Sequence, residues 1–160
     1  MKARVARASD VPELVRVINL AYRVEDFFID GDRTDAAEIL ARMQESNSFF
    51  LVIDRENTPQ LAAGVLVEIR GTRGYFAMLS VDPALQGNGL GRALIGAIEE
   101  HCRAAGCKAL DMEIVDLRRE LPAFYAAFGF KPTETIPFNK PFKLKMEAQL
   151  VLMSKSLHPA

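Results

Sequence analysis

The sequence has no tryptophan, only two cysteines, and no run near the roughly 20 apolar residues that cross a membrane. Cys102 and Cys107 stand five positions apart, a spacing that fits neither a metal site nor a redox pair, so a disulfide scaffold is excluded. No metal site is expected. The first seven residues, Met1-Lys2-Ala3-Arg4-Val5-Ala6-Arg7, contain no apolar stretch of signal-peptide length. Together these absences describe a reduced, soluble, cytoplasmic protein. An excess of one charge is also missing, with 20 Lys plus Arg against 21 Asp plus Glu and a formal net charge of −1. That balance argues against a nucleic-acid partner across the whole domain. Repeats, linkers and low-complexity tracts are absent, and 49% apolar with 26% charged residues is ordinary globular composition. A length of 160 residues fits one domain over 1–160 around one sizeable core.

What is present has clear periodicity. Asp10 and Glu13 have the spacing of a capping box, and Leu14, Val17, Ile18, Ala21 and Tyr22 then mark one apolar helix face. A loop over 24–32 mixes Asp26, Asp30 and Asp32 with Phe27 and Phe28. Thr34 is the expected N-cap of a second helix that buries Ala36, Ile39, Leu40 and Met43. Three β-rich runs, 49–53, 61–69 and 75–81, are separated by short turns, which predicts an antiparallel meander. A helix over 91–105 stops at Gly106, a strand follows over 109–115, and a short helix over 121–128 stops at Gly129. The last long strand sets Leu144, Met146, Ala148, Leu150 and Leu152 inward. The order β-α-α-β-β-β-α-β-α-β-β is that of an α+β domain with a mixed sheet.

Chemistry concentrates in Leu79-Ser80-Val81-Asp82-Pro83-Ala84-Leu85-Gln86-Gly87-Asn88-Gly89-Leu90-Gly91-Arg92. A strand ends at a proline, a glycine-dense loop follows, and a helix begins at once. Glycines allow a concave row of N–H groups, and the helix start adds unpaired donors with positive dipole. Such a site binds phosphate or pyrophosphate. The Walker string is absent. A dinucleotide fingerprint starting at Gly89 needs Gly or Ala where Leu94 stands, although Asp111 lies where a ribose-binding acid would.

The string Gln86-Gly87-Asn88-Gly89-Leu90-Gly91 resembles the Gln/Arg-x-x-Gly-x-Gly/Ala loop of the GNAT superfamily of acyl-CoA-dependent N-acetyltransferases. Leu79-Ser80-Val81-Asp82-Pro83 is similar to that family's fourth strand, and Phe124-Tyr125-Ala126-Ala127-Phe128-Gly129-Phe130 to its aromatic-Tyr-x-x-x-Gly-Phe signature. The resemblance implies a mostly antiparallel twisted sheet of six to seven strands, about four flanking helices, and fourth and fifth strands that splay apart.

It also implies roles. Leu79, Ser80 and Val81 would line the pantetheine arm of acetyl-CoA, with the backbone of Leu79 and Val81 pairing with it. Gln86, Gly87, Asn88, Gly89, Leu90, Gly91, Arg92 and Ala93 would hold the pyrophosphate. Tyr125 would protonate the departing thiolate. The expected reaction moves acetyl from acetyl-CoA to a primary amine, that of a small molecule or of a peptide; a binding module without turnover is the alternative. The 75–81 run holds no carboxylate, which leaves Glu68, Glu113 or a water chain as the general base. Arg118-Arg119-Glu120-Leu121 stands where many relatives have an Asn that contacts CoA. Asp26, Phe27, Phe28, Asp30 and Asp32 would suit a cationic acceptor. His101, His158 and both cysteines are assigned no chemistry, and a homodimer is expected through the last strands.

Overall fold

A computed structural model describes residues 2–158. Along the chain run β1 (Ala3–Val5), α1 (Val11–Ala21), β2 (Ile29–Asp30), α2 (Ala36–Gln44), β3 (Ser48–Asp54), β4 (Leu61–Arg70) and β5 (Arg73–Val81). Then come α3 (Leu90–Ala104), β6 (Ala109–Val115), α4 (Leu121–Ala126), β7 (Lys131–Pro137), β8 (Lys143–Leu144) and β9 (Gln149–Ser156). Seven strands form one sheet in the order β1-β3-β4-β5-β6-β9-β7, while β2 and β8 make a separate ribbon. The strand that the family resemblance counts as fourth is β5, because the short β2 precedes it. The expected α+β fold, with seven strands and four helices, is what the chain adopts.

The meander β3-β4-β5 is antiparallel, as short turns demand. The return from β5 to β6 passes through α3 and is therefore long enough for a parallel pairing. That parallel pair lasts only from Arg73↔Ala109 to Tyr75↔Asp111, after which the two strands part. On one face Leu14, Val17 and Ile18 of α1 pack with Ile39 of α2 against Phe50, Val52 and Leu66. On the other, Leu94, Ile95 and Ile98 of α3 pack on Leu51, Val65 and Val67. A smaller cluster under the ribbon joins Phe28 and Ile29 to Val115, Ala148 and Leu150.

Four local expectations change. Asp10 does not cap α1; its carboxylate turns back to accept the Arg7 N–H at 2.7 Å and the Arg4 guanidinium at 2.9 Å. Glu13 likewise leaves the box to accept the Leu61 N–H and the Arg16 side chain, each at 2.9 Å. For Glu13 a donor 48 positions away outcompetes the local cap, whereas Asp10 bonds groups three and six positions before it. The N-cap of α2 is Asp35, whose side chain accepts the Glu38 N–H at 2.8 Å, while Thr34 instead donates its hydroxyl to Glu38 at 2.6 Å. Ala36 and Leu40 are exposed, while Ile39 is buried and Met43 packs half-buried against the same cluster. The last long strand is two, because Leu144 pairs with Ile29 of β2 and the ladder to β6 resumes only at Leu150↔Val115. Met146, in the gap, is 46% exposed. Alternation shows which way side chains face, but not where a strand changes partner.

Gly74, at the start of the parallel pair, has no room for a side chain. A Cβ there would lie 2.4 Å from the Cys102 sulfur and 3.2 Å from Leu110 Cδ1. Both cysteines are buried free thiols, consistent with a packing role, and burial pushes the Cys102 thiol up to about 12. Gly74→Ala is expected to lose about 1–3 kcal/mol from overpacking, and Gly74→Ala with Cys102→Ala to recover most of it. Chemical denaturation of the two variants checks this; an unrecovered double variant would count against the contact.

Candidate active site

The site begins with a defect in the sheet. Between Gly64 and Leu66 of β4 the facing residue on β5 moves from Ser80 to Ala77, so Val65 alone faces two residues. Met78 sits inside this bulge with φ of 58°, a left-handed conformation that a bulky side chain adopts only under constraint. A bulge leaves one residue outside the ladder and bends its strand. Here the bend comes where β5 is already parting from β6. The strands open into a wedge.

Beyond β5 the chain is anchored before it becomes a loop. Asp82 is buried, accepts the Ala84 N–H at 3.0 Å and takes Arg16 of α1 at 3.2 Å. Gly87 and Gly89 then turn with φ of +84° and +77°, and a Cβ on either would meet nothing within 4 Å. The N–H groups of Gly87, Asn88 and Gly89 have no backbone partner, and those of Leu90, Gly91 and Arg92 open helix α3, whose first internal bond runs from Ala93 to Gly89 at 3.0 Å. This row of free donors fits a pyrophosphate.

These elements enclose a cleft of about 580 Å³. Of the residues singled out in the sequence, Leu79, Val81, Gln86, Gly87, Gly89, Leu90, Gly91, Arg92 and Tyr125 line it. Ser80, Asn88 and Ala93 do not: Ser80 is buried with its hydroxyl on the Met78 carbonyl at 3.0 Å, the Asn88 amide donates to the Leu85 carbonyl at 2.8 Å, and Ala93 packs on the core. Phe124, Phe128, Arg118 and Glu120 supply the opposite wall, which the sequence reading left unassigned. The Arg92 guanidinium lies 5.1 Å from the Phe128 ring.

A second, smaller cavity of about 80 Å³ opens beside the first, and Tyr22, Arg118, Leu121 and Tyr125 belong to both. Tyr125 is buried against Phe124, Phe76 and Phe130, with ring centroids at 5.0, 6.1 and 5.8 Å. Burial pushes its hydroxyl well above the ordinary tyrosine range, so it stays protonated. Two carboxylates reach this cavity. Glu25 bonds Arg118 at 2.9 Å, and burial raises its pKa even so. Glu113 accepts the Tyr75 hydroxyl at 2.9 Å and pairs with Lys140. Tyr75 carries the Arg70 guanidinium 3.9 Å above its ring.

Glu68, the other acid considered as a base, lies outside both cavities, bound by Arg70 at 3.0 Å. The loop aspartates lie outside both cavities: Asp26 stands 4.0 Å from Arg23, Asp30 pairs with Lys145 at 3.7 Å and Asp32 with Arg23 at 2.8 Å. Phe28 is fully buried beneath the ribbon and Phe27 is half exposed, so neither walls the cavity. Asp111 bonds Arg73 at 2.7 Å and lines neither cavity, which removes the ribose-binding alternative. Glu25, Arg33 and Lys140 line this cavity without having been singled out in the sequence, and Arg118 was noted only as standing at a position of CoA contact. No spacing separates Glu25 from the loop acids beside it.

The family model of the acetyltransferase (GNAT) family matches residues 15–130. An aminoglycoside N(6')-acetyltransferase type 1 of Stenotrophomonas maltophilia is 34% identical over 76 residues, 46% of each chain. Glucosamine 6-phosphate N-acetyltransferase 1 of Oryza sativa subsp. japonica is 37% identical over 87 residues, 50% of this chain and 51% of that one. The match thus spans about half the length of these curated relatives. Among solved structures, yncA of Salmonella typhimurium, with its cofactor acetyl-CoA, superposes with a TM-score of 0.76 at 21% identity, covering 100% of this chain and 95% of that one. The chain belongs to the acetyltransferase (GNAT) family.

Proposed function

We propose that the protein transfers the acetyl group of acetyl-CoA directly to a primary amine of a small molecule. The observation that carries this reading is the meeting of the two cavities at Tyr125, where β5 and β6 part. The larger cleft offers a loop of free N–H donors for the pyrophosphate and an apolar strand edge for the pantetheine arm. The cofactor supplies a thioester whose carbonyl carbon is open to attack. N–H groups at the β5 bulge would meet the oxygen where negative charge develops, an effect magnified in a site closed to water.

The acceptor amine enters through the smaller cavity and must lose a proton. Glu25 is the carboxylate best matched to take it, because burial lifts its pKa toward the working range while it remains beside Arg118. Glu113 is held by Tyr75 and Lys140 and serves to orient rather than to accept. Tyr125 donates its proton to the leaving sulfur; the dry surroundings that raise the tyrosine also raise the thiol, so the transfer stays feasible. The cramped second cavity favours a small amine over a peptide.

The test combines acetyl-CoA calorimetry with thiol release on a panel of amines, amino acids and peptide N-termini. Binding plus release with at least one small amine is the expected result. No binding at near-millimolar acetyl-CoA would end the proposal. Binding with no release would favour a regulatory module, and release with peptides alone a protein acetyltransferase.

A further inference from the structure

Around the acceptor cavity stand three cations, Arg33, Arg118 and Lys140, and two carboxylates, Glu25 and Glu113. Arg118 and Lys140 each neutralise one of those carboxylates. Arg33 does not. Among the described residues no carboxylate or carbonyl stands within bonding distance of its guanidinium, which instead lies 5.4 Å from the Tyr22 ring centroid and 5.0 Å from that of Phe142. It borders the acceptor cavity and not the CoA cleft, so it is not placed to meet a cofactor phosphate.

With its close contacts made to aromatic rings, the Arg33 guanidinium keeps its N–H donors free of protein partners among the described residues. A guanidinium fork matches a carboxylate through two parallel charge-assisted hydrogen bonds. The ledger of charge points the same way. Arg118 also pairs with Glu120 at 3.0 Å, so among the described residues Arg33 is the cation lining the cavity that has no hydrogen-bonded carboxylate, and an anionic group entering beside it meets free donors. The acids that would have suited a cationic acceptor, Asp30 and Asp32, are paired with Lys145 and Arg23 outside it.

We propose that the acceptor is a small primary amine that also bears a carboxylate, of the amino-acid type, and that Arg33 binds this carboxylate while the amine is presented at Tyr125. The inference rests on the acetyl-transfer reading and narrows its substrate class. The amine nitrogen forms the new bond to the acetyl carbon, the bond from that carbon to sulfur breaks, the amine proton leaves to the protein and the sulfur departs as the thiol. The substrate carboxylate is unchanged and acts only as a handle.

The experiment uses α-, β- and γ-amino acids, each paired with its own carboxamide, as acceptors for the wild-type protein, Arg33→Gln and Arg33→Lys. In the wild type kcat/KM favours the acid over the amide in at least one pair. Arg33→Gln lowers that acid-to-amide ratio by roughly tenfold or more, the usual worth of hydrogen bonds between charged partners. Arg33→Lys restores part of it, since a lysine keeps the charge and loses the fork. Calorimetric titration of the preferred amino acid into protein saturated with CoA should weaken in the same order, which gives a readout apart from turnover. A wild-type ratio near one, or a ratio that Arg33→Gln leaves in place, overturns the carboxylate assignment while acetyl transfer stands. Failure to bind acetyl-CoA or to release thiol with any amine overturns the transfer reading and this inference with it.

Discussion

Replacing Tyr125 by Phe is expected to slow single-turnover acetyl transfer by roughly 10²–10⁴-fold, the usual worth of a positioned general acid. The substitution removes one hydroxyl and leaves the ring, so its packing on Phe124, Phe76 and Phe130 persists. Among the described residues that hydroxyl has no hydrogen-bond partner within the chain, so its loss orphans no other group. Acetyl-CoA affinity should therefore change little and the melting temperature only slightly. A single-turnover measurement is preferable to kcat, because slow product release would mask part of the loss. Normal single-turnover rates in a folded Phe variant would end the general-acid assignment and leave the cleft as a binding site.

A second large effect is expected at Gly89, which starts α3 in the left-handed conformation, φ of 77° and ψ of 13°. Gly89→Val forces a β-branched residue into that region at about 1–2 kcal/mol. Its side chain would also occupy the open space over the row of N–H donors, where a pyrophosphate needs close backbone approach. Acetyl-CoA affinity should fall by roughly 100-fold or more, the scale of losing a pair of charge-assisted hydrogen bonds. Gly106→Val separates the two causes: Gly106 follows the other end of α3 at φ of +84° and borders no part of the cleft. It should melt lower, with acetyl-CoA binding intact. Calorimetry of both variants decides the matter; equal losses of affinity would mean that helix stability, and not the donor row, governs binding.

Gly89 was legible in the sequence, because a glycine-dense string between a strand and a helix has one common physical use. Tyr125 was legible only through the family resemblance of residues 124–130; composition and spacing would leave it a core aromatic. The structure puts the two on the walls of one cleft.

By itself, the sequence determined the α+β order of elements, the meander, the donor loop and the apolar face of α1, since each depends on residues close together in the chain. It also showed that the 75–81 run has no carboxylate. Tertiary structure decided what depends on residues far apart. Glu13 leaves its local cap for the Leu61 N–H, 48 positions away. The strand after residue 143 breaks because β2 takes its first two positions. Asp30 and Asp32 leave the acceptor site because Lys145 and Arg23 hold them outside it. Glu25 becomes a candidate base only when folding buries it against Arg118, 93 positions away. Arg33 becomes a carboxylate handle only when Tyr22 and Phe142 close on it from opposite ends of the chain. Hydrophobic period and turn chemistry are local and can be read along the chain; the charge balance of a cavity is set by which side chains the fold brings together.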